Sequence, residues 1–111
     1  MNSVHLFGTA GRSPETHRDR RGQFVAKVRM STCDTWVDQY KKRREKTEWH
    51  NLVFWNTLAE DAVNKIKKGA YFGVEGRMET RTEDGITEVI VISLDMPMIP
   101  FQERGDVINA R

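Results

Sequence analysis

Three tryptophans lie close to a dense run of bases. Trp36 and Trp49 bracket Lys41-Lys42-Arg43-Arg44-Glu45-Lys46, in which bases far outnumber the single acid; Tyr40 precedes the run and Trp55 follows it. Indole rings stack on the π-face of any nucleobase, at about 1 to 3 kcal/mol per base, and Lys and Arg displace condensed counterions from a phosphate backbone. Rings interleaved with cations therefore point to a polyanion whose bases are unpaired. Two plainer accounts stay open at this level, a solvated basic loop and a set of rings that completes a core or a subunit contact. A loop that only solubilises has no need of large apolar rings beside it, which favours the polyanion.

Other chemistry finds little support. His5, His17 and His50 are scattered, with no His-Glu-x-x-His or paired-Cys spacing, so no metal site is expected. The single Cys33 excludes an internal disulfide and a Cys-rich zinc site and suits a reducing compartment; at a strand end it is expected to be a small buried hydrophobe. No Gly-rich phosphate loop occurs, and the adjacent Glu83 and Asp84 diverge in a hairpin, so neither a cofactor nor catalysis is expected. The 18 Lys and Arg against 16 Asp and Glu leave a formal charge of +2, so the clustering of bases carries the signal and their total does not. A second cluster, Arg18, Arg20 and Arg21, surrounds Asp19. At 111 residues the chain has room for one core. No run approaches the roughly 20 apolar residues of a membrane helix, and the start lacks a basic region followed by an apolar one, so a soluble, unsecreted protein is expected.

Periodicity indicates the elements that must position these side chains. Val4-His5-Leu6-Phe7-Gly8 reads as a first strand, followed by Gly8, Gly11 and Pro14 punctuation, a short extended piece near His17 and a turn at Arg21-Gly22. From Gln23, alternation sets Phe24, Ala26, Val28 and Met30 against Val25, Lys27, Arg29 and Ser31. A third strand, from about Thr47 to Trp55, sets Leu52 and Phe54 against Trp49, Asn51, Val53 and Trp55. The spacing of Leu58, Ala59, Ala62, Val63 and Ile66 predicts a helix from Leu58 to Lys68. Thr57 and Glu60 fit a capping box, Lys65, Lys67 and Lys68 suit the negative end of the dipole, and Gly69 suits a left-handed cap. A fourth strand places Phe72, Val74, Gly76 and Met78 opposite Tyr71, Glu75 and Arg77, and Glu83-Asp84-Gly85 turns into a fifth, Thr87 to Leu94. Pro97 and Pro100 end regular structure, and residues 101–111 read as a short polar tail. This order predicts an all-β, five-stranded OB-fold barrel over residues 1–100, with one helix between the third and fourth strands. An incomplete two-layer sheet with a helix is the alternative.

Thr47-Glu48-Trp49-His50, Leu58-Ala59-Glu60, Lys68-Gly69 and Val74-Glu75-Gly76 resemble the core pattern of bacterial-type single-stranded DNA-binding proteins (SSB). Gly11-Arg12-Ser13-Pro14-Glu15 and Thr87-Glu88-Val89 extend the match in order and spacing over most of the chain. The resemblance implies an OB barrel, usually in a homotetramer with a homodimer as the other form, that coats single-stranded DNA in replication, recombination or repair. It implies the cytoplasm and nucleoid of a bacterium, or a phage or plasmid origin. Its base-stacking positions fall on Trp36, Trp49 and Trp55, and the shared parity of Trp49 and Trp55 on a half-buried strand agrees with that assignment. Phosphate contacts would come from Lys27, Arg29, Lys41, Lys42, Arg43, Arg44, Lys46, Arg77 and Arg81, while Lys67 and Lys68 serve either the helix end or the nucleic acid. His50, of opposite parity to Trp49, would lie at a subunit interface.

Departures from the family pattern temper this picture. Glu83 stands where many members carry a further tryptophan, and Asn51, Thr57 and Glu79 stand where the best-known members carry bases, which implies weaker binding or a shorter site. The family's acidic tail, ending in Ile-Pro-Phe, has no counterpart in Gln102 to Arg111, and Ile99-Pro100-Phe101 lacks the acid cluster; recruitment of repair enzymes by that route is not expected. Three competing functions are a scaffold or primosomal OB protein acting through protein partners, an RNA-binding OB module, and a nuclease. The tryptophan set argues against the first, competition between matched DNA and RNA would separate the second, and the third lacks a carboxylate or histidine constellation.

Overall fold

The computed structural model describes residues 1–97. Its elements are β1 (Val4–Ala10), β2 (Glu15–Arg18), β3 (Phe24–Val37), β4 (Arg43–Trp55), α1 (Asn56–Lys65), β5 (Tyr71–Thr80) and β6 (Thr87–Asp95). The sheet runs β1-β5-β6-β4-β3-β2, and a further pairing of β1 with β3 closes the five long strands into a barrel. All pairings are antiparallel except β4 with β6, which meet in parallel at Leu52↔Val89 and Val53↔Ile90. This is the OB-fold, and closure removes the alternative of an open two-layer sheet.

The extended piece near His17 is the separate short strand β2, so the helix follows the fourth strand in chain order. One edge of β3 is shared: Ser31 and Met30 face β1, and Lys27 to Phe24 then face β2. Closure depends on Gly8, where a Cβ would lie 2.1 Å from the Ser31 carbonyl oxygen, so only a residue without a side chain lets β1 approach β3 there. The alternation read from β3 and β4 holds for the core, since Ala26, Val28, Met30, Leu52 and Phe54 all pack inside with Phe72, Val74, Val89 and Val91. Met78, expected on the inner face of β5, is 51% exposed because it lies beyond the end of that core.

The helix closes one end of the barrel with Ala59, Ala62 and Ile66 fully buried. It starts earlier than its pattern suggests, and Trp55 is the N-cap without a side-chain cap bond, so Thr57 lies inside the helix and forms no capping box. Its last turn ends at Lys65, and the Ile66 amide donates to the Ala62 carbonyl at 2.8 Å. Gly69 does adopt positive φ (86°), but in the turn beyond the helix, where its amide donates to the Ala10 carbonyl at 2.9 Å. Lys67 Nζ donates to the Val63 carbonyl at 3.2 Å, the helix-end role. Pro100, Ile99-Pro100-Phe101 and the polar stretch 101–111 lie outside the described residues.

Candidate nucleic-acid interface

The basic run is mostly strand. Only Lys41 and Lys42 sit in the turn joining β3 to β4, while Arg43, Arg44 and Lys46 lie on β4, so the expected loop from Lys41 to Lys46 is instead the tip of a long two-stranded arm. The arm forms because Asp38 organises its turn. Its Oδ1 accepts from the amides of Tyr40 (2.8 Å) and Lys42 (2.9 Å), and its Oδ2 accepts from Arg44 Nε at 2.8 Å. The Lys42 amide first, then Arg44, hold the Asp38 carboxyl below its ordinary range. Lys41, at φ 61°, takes the left-handed position of the turn.

Cross-strand register fixes which side chains share a face. On the outer face, Ser31↔Trp49, Arg29↔Asn51, Lys27↔Val53 and Val25↔Trp55 form a continuous strip from the arm to the helix end of the barrel. Trp49 is 49% exposed and Trp55 is half-buried. Arg29 lies over the Trp49 ring, 4.9 Å from its centroid, and Gly11 sits close beneath, where a Cβ would come within 2.7 Å of the indole. A guanidinium stacked on an exposed indole offers a cation beside a π-surface, the pairing that nucleotide binding uses. The two indoles are six positions apart on the strand, a span of about 20 Å.

Trp36 has the opposite parity. It pairs with Arg44, and Asp34↔Lys46 follows on the same face, so Trp36 projects from the other side of the arm. There it is 47% exposed and lines a shallow pocket with Val37, Lys41 and Arg43. The three tryptophans thus do not form one flat platform. They follow the arm around its edge.

The remaining cations are mostly paired. Lys46 meets Glu48 at 3.4 Å and Arg77 meets Glu79 at 3.2 Å, both exposed pairs of the kind worth little. Lys27 lies 3.6 Å and Arg81 3.3 Å from the same carboxylate oxygen of Glu88, and Arg81 also binds Asp84 at 2.7 Å. His50 is half-buried with Nε2 2.8 Å from Thr32 Oγ1. Cys33, expected to be buried, is exposed, because the arm has no core beneath it. Among the described residues no helix is long and apolar enough to cross a membrane.

Of the two side chains that organise these cations, Asp38 and Glu88, only Glu88 escapes a reading by pattern. An Asp opening the turn before a basic stretch is a recognisable Asx signal. Glu88 has no such signature, since alternation places it on the outer face and gives no hint that the outer face is buried there.

A family model described as the single-strand binding protein family matches residues 1–96. The chain belongs to that family. Among SSB relatives, proteins named single-stranded DNA-binding protein from Neisseria meningitidis and Rhizobium meliloti are 36% and 41% identical over 89% and 95% of the chain. The chain spans 60% and 66% of their lengths. The Plasmodium falciparum SSB, solved in complex with ssDNA, is 27% identical and matches 87% of this chain and 95% of its own with a TM-score of 0.75. An SSB deletion mutant from Thermus aquaticus, 24% identical, shares the fold at a TM-score of 0.75 over 86% of this chain and 49% of its own.

Proposed function

We propose that this SSB-family chain binds single-stranded DNA without catalysis and with little regard to sequence, protecting strands exposed during replication, recombination or repair. The observation that carries the reading is the outer strip of β3 and β4, where the exposed Trp49 and the half-buried Trp55 on one strand lie beside Arg29 and Lys27 on the other, with the core behind them. Bases stack on Trp49 and Trp55 along the barrel and on Trp36 around the arm, and phosphates are neutralised by Arg29, Lys41, Lys42, Arg43, Arg44 and Lys46. Because stacking reads a π-face and no base edge, binding is sequence-tolerant. The exposed pair of Lys46 with Glu48 yields to phosphate at small cost, whereas Arg44 meets phosphate while still held by Asp38. Residues 1–100 act as one binding unit, in a bacterial cytoplasm or from a phage or plasmid.

The protein acts as a homo-oligomer, a tetramer in this reading. Phe7 and Tyr71, 47% and 46% exposed, stack with centroids 6.1 Å apart on the outer face of β1 and β5, an apolar surface that joins the strip through Thr9, which pairs with both Tyr71 and Ser31. The test is a titration with oligo(dT) and with a matched duplex, following tryptophan emission at low and high salt. Strong quenching by the single strand that partly survives high salt, and its absence with duplex, is the expected result. Salt-abolished binding without quenching would overturn it.

A further inference from the structure

Beside Trp55 the outer strip opens into a groove of about 460 Å³. A row of paired residues crosses it from strand to strand: Lys27 on β3, Val53 on β4, Ile90 on β6 and Arg77 on β5. Its floor is apolar, with Val25 and Val53 at 1% and 3% exposure even though both point away from the barrel core. Glu88 also lies in the groove, opposite Glu79, and at 8% exposure it is the only buried charged residue among those described.

We infer that Glu88 sets the strength and salt dependence of binding, by holding Lys27 and Arg81 in ion pairs and so reserving the groove for a base. The inference rests on the single-strand reading above. Three carboxylates, Glu79, Asp84 and Glu88, match the groove's three cations, Lys27, Arg77 and Arg81. A phosphate that took Lys27 and Arg81 would leave the Glu88 carboxylate buried and unpaired, a strongly unfavourable state. Cations already neutralised by protein hold no phosphate and release no counterions. The Lys46–Glu48 pair on the arm differs in kind, because Glu48 is exposed and is hydrated once Lys46 leaves it. The backbone therefore tracks along Arg29 and the arm, and the base turns inward onto the half-buried Trp55 and Ile90.

The experiment measures oligo(dT) affinity against salt for the unaltered protein, Glu88→Gln, Lys27→Gln and the Glu88→Gln/Lys27→Gln pair, with circular dichroism to establish folding. Glu88→Gln is expected to bind more tightly at low salt and to steepen the plot of log K against log salt by about 0.7 for each additional phosphate neutralised. Lys27→Gln should remove about 0.7 of that slope in the Glu88→Gln background and clearly less in the unaltered protein. A folded Glu88→Gln variant with an unchanged or shallower slope would overturn the proposal. Should that variant not fold, Lys27→Gln alone decides. A slope flattened by the full value for one phosphate means that Lys27 already holds a phosphate and the proposal fails; a clearly smaller change supports it. Absence of single-strand binding by the unaltered protein would overturn the functional reading as well, whereas binding with the wrong slopes overturns only the role of Glu88.

Discussion

The two halves of the β3–β4 hairpin are built from the same strands and the same alternation, yet they behave as different materials. In the barrel half, Ala26, Val28, Met30, Leu52 and Phe54 are buried, and each inward residue has a neighbour across the core. In the arm half, every residue from Cys33 to Val37 and from Arg43 to Trp49 is exposed. Alternation is a property of the strand, while burial is a property of what stands opposite it. A two-stranded ribbon without a partner layer is only marginally stable. The arm is held by continuity with the barrel and by the Asp38 turn, and its side chains are exposed on both faces.

That contrast can be broken most forcefully in the barrel. Phe54→Ala should lower unfolding stability by about 3 to 5 kcal/mol in denaturant titrations, while Trp36→Ala should stay within about 0.5 kcal/mol of the parent. Equal losses would mean that the arm packs as a core does. Gly8→Ala forces β1 away from β3 and should cost about 1 to 3 kcal/mol, read as a lower denaturation midpoint. In binding the ranking reverses. Trp36→Ala and Trp49→Ala should each weaken oligo(dT) binding by about 1 to 3 kcal/mol with the melting curve nearly unmoved. Replacing Lys41, Lys42 and Arg43 by Gln should flatten the salt slope by about 0.7 for each phosphate no longer neutralised; an unchanged slope would make them a solvated tip.

The smallest effect is that of acid. The Asp38 carboxyl has a lowered pKa in the folded arm, so its contribution is complete above the ordinary carboxylate range and is lost as pH falls through the lowered value. Protection of the Tyr40 and Lys42 amides from exchange, measured relative to the intrinsic rate at each pH, should fall in that acidic window ahead of protection in the barrel. Simultaneous loss in both regions would remove the distinction between them.

The barrel half is largely legible in the sequence because alternation and core packing coincide there. Strand order, the turns at Gly22 and Gly85 and the inward set of β3 and β4 all follow from local pattern. The helix start is not legible, because Thr57 and Glu60 offer a local bond that the tertiary structure does not use; the helix begins straight out of β4. The arm reads as a loop because cations depress strand propensity, while its pairing to β3 from Val37↔Arg43 onward is a nonlocal fact. Likewise the exposure of Cys33 and the burial of Glu88, Val25 and Val53 depend on which strands come to lie alongside.

The barrel is stitched shut by two short seams, two residue pairs between β1 and β3 and two between β4 and β6. Both seams join segments distant in sequence, whereas the β3–β4 hairpin joins neighbours. Loop-closure entropy delays such distant pairings, and that of β1 with β5 most of all, so the hairpin is an expected early unit and closure of the barrel the late step of folding. The arm proposed to meet the ligand then belongs to the earliest structure on the pathway. A nascent chain would then expose its indoles and guanidinium groups before the enclosure behind them exists.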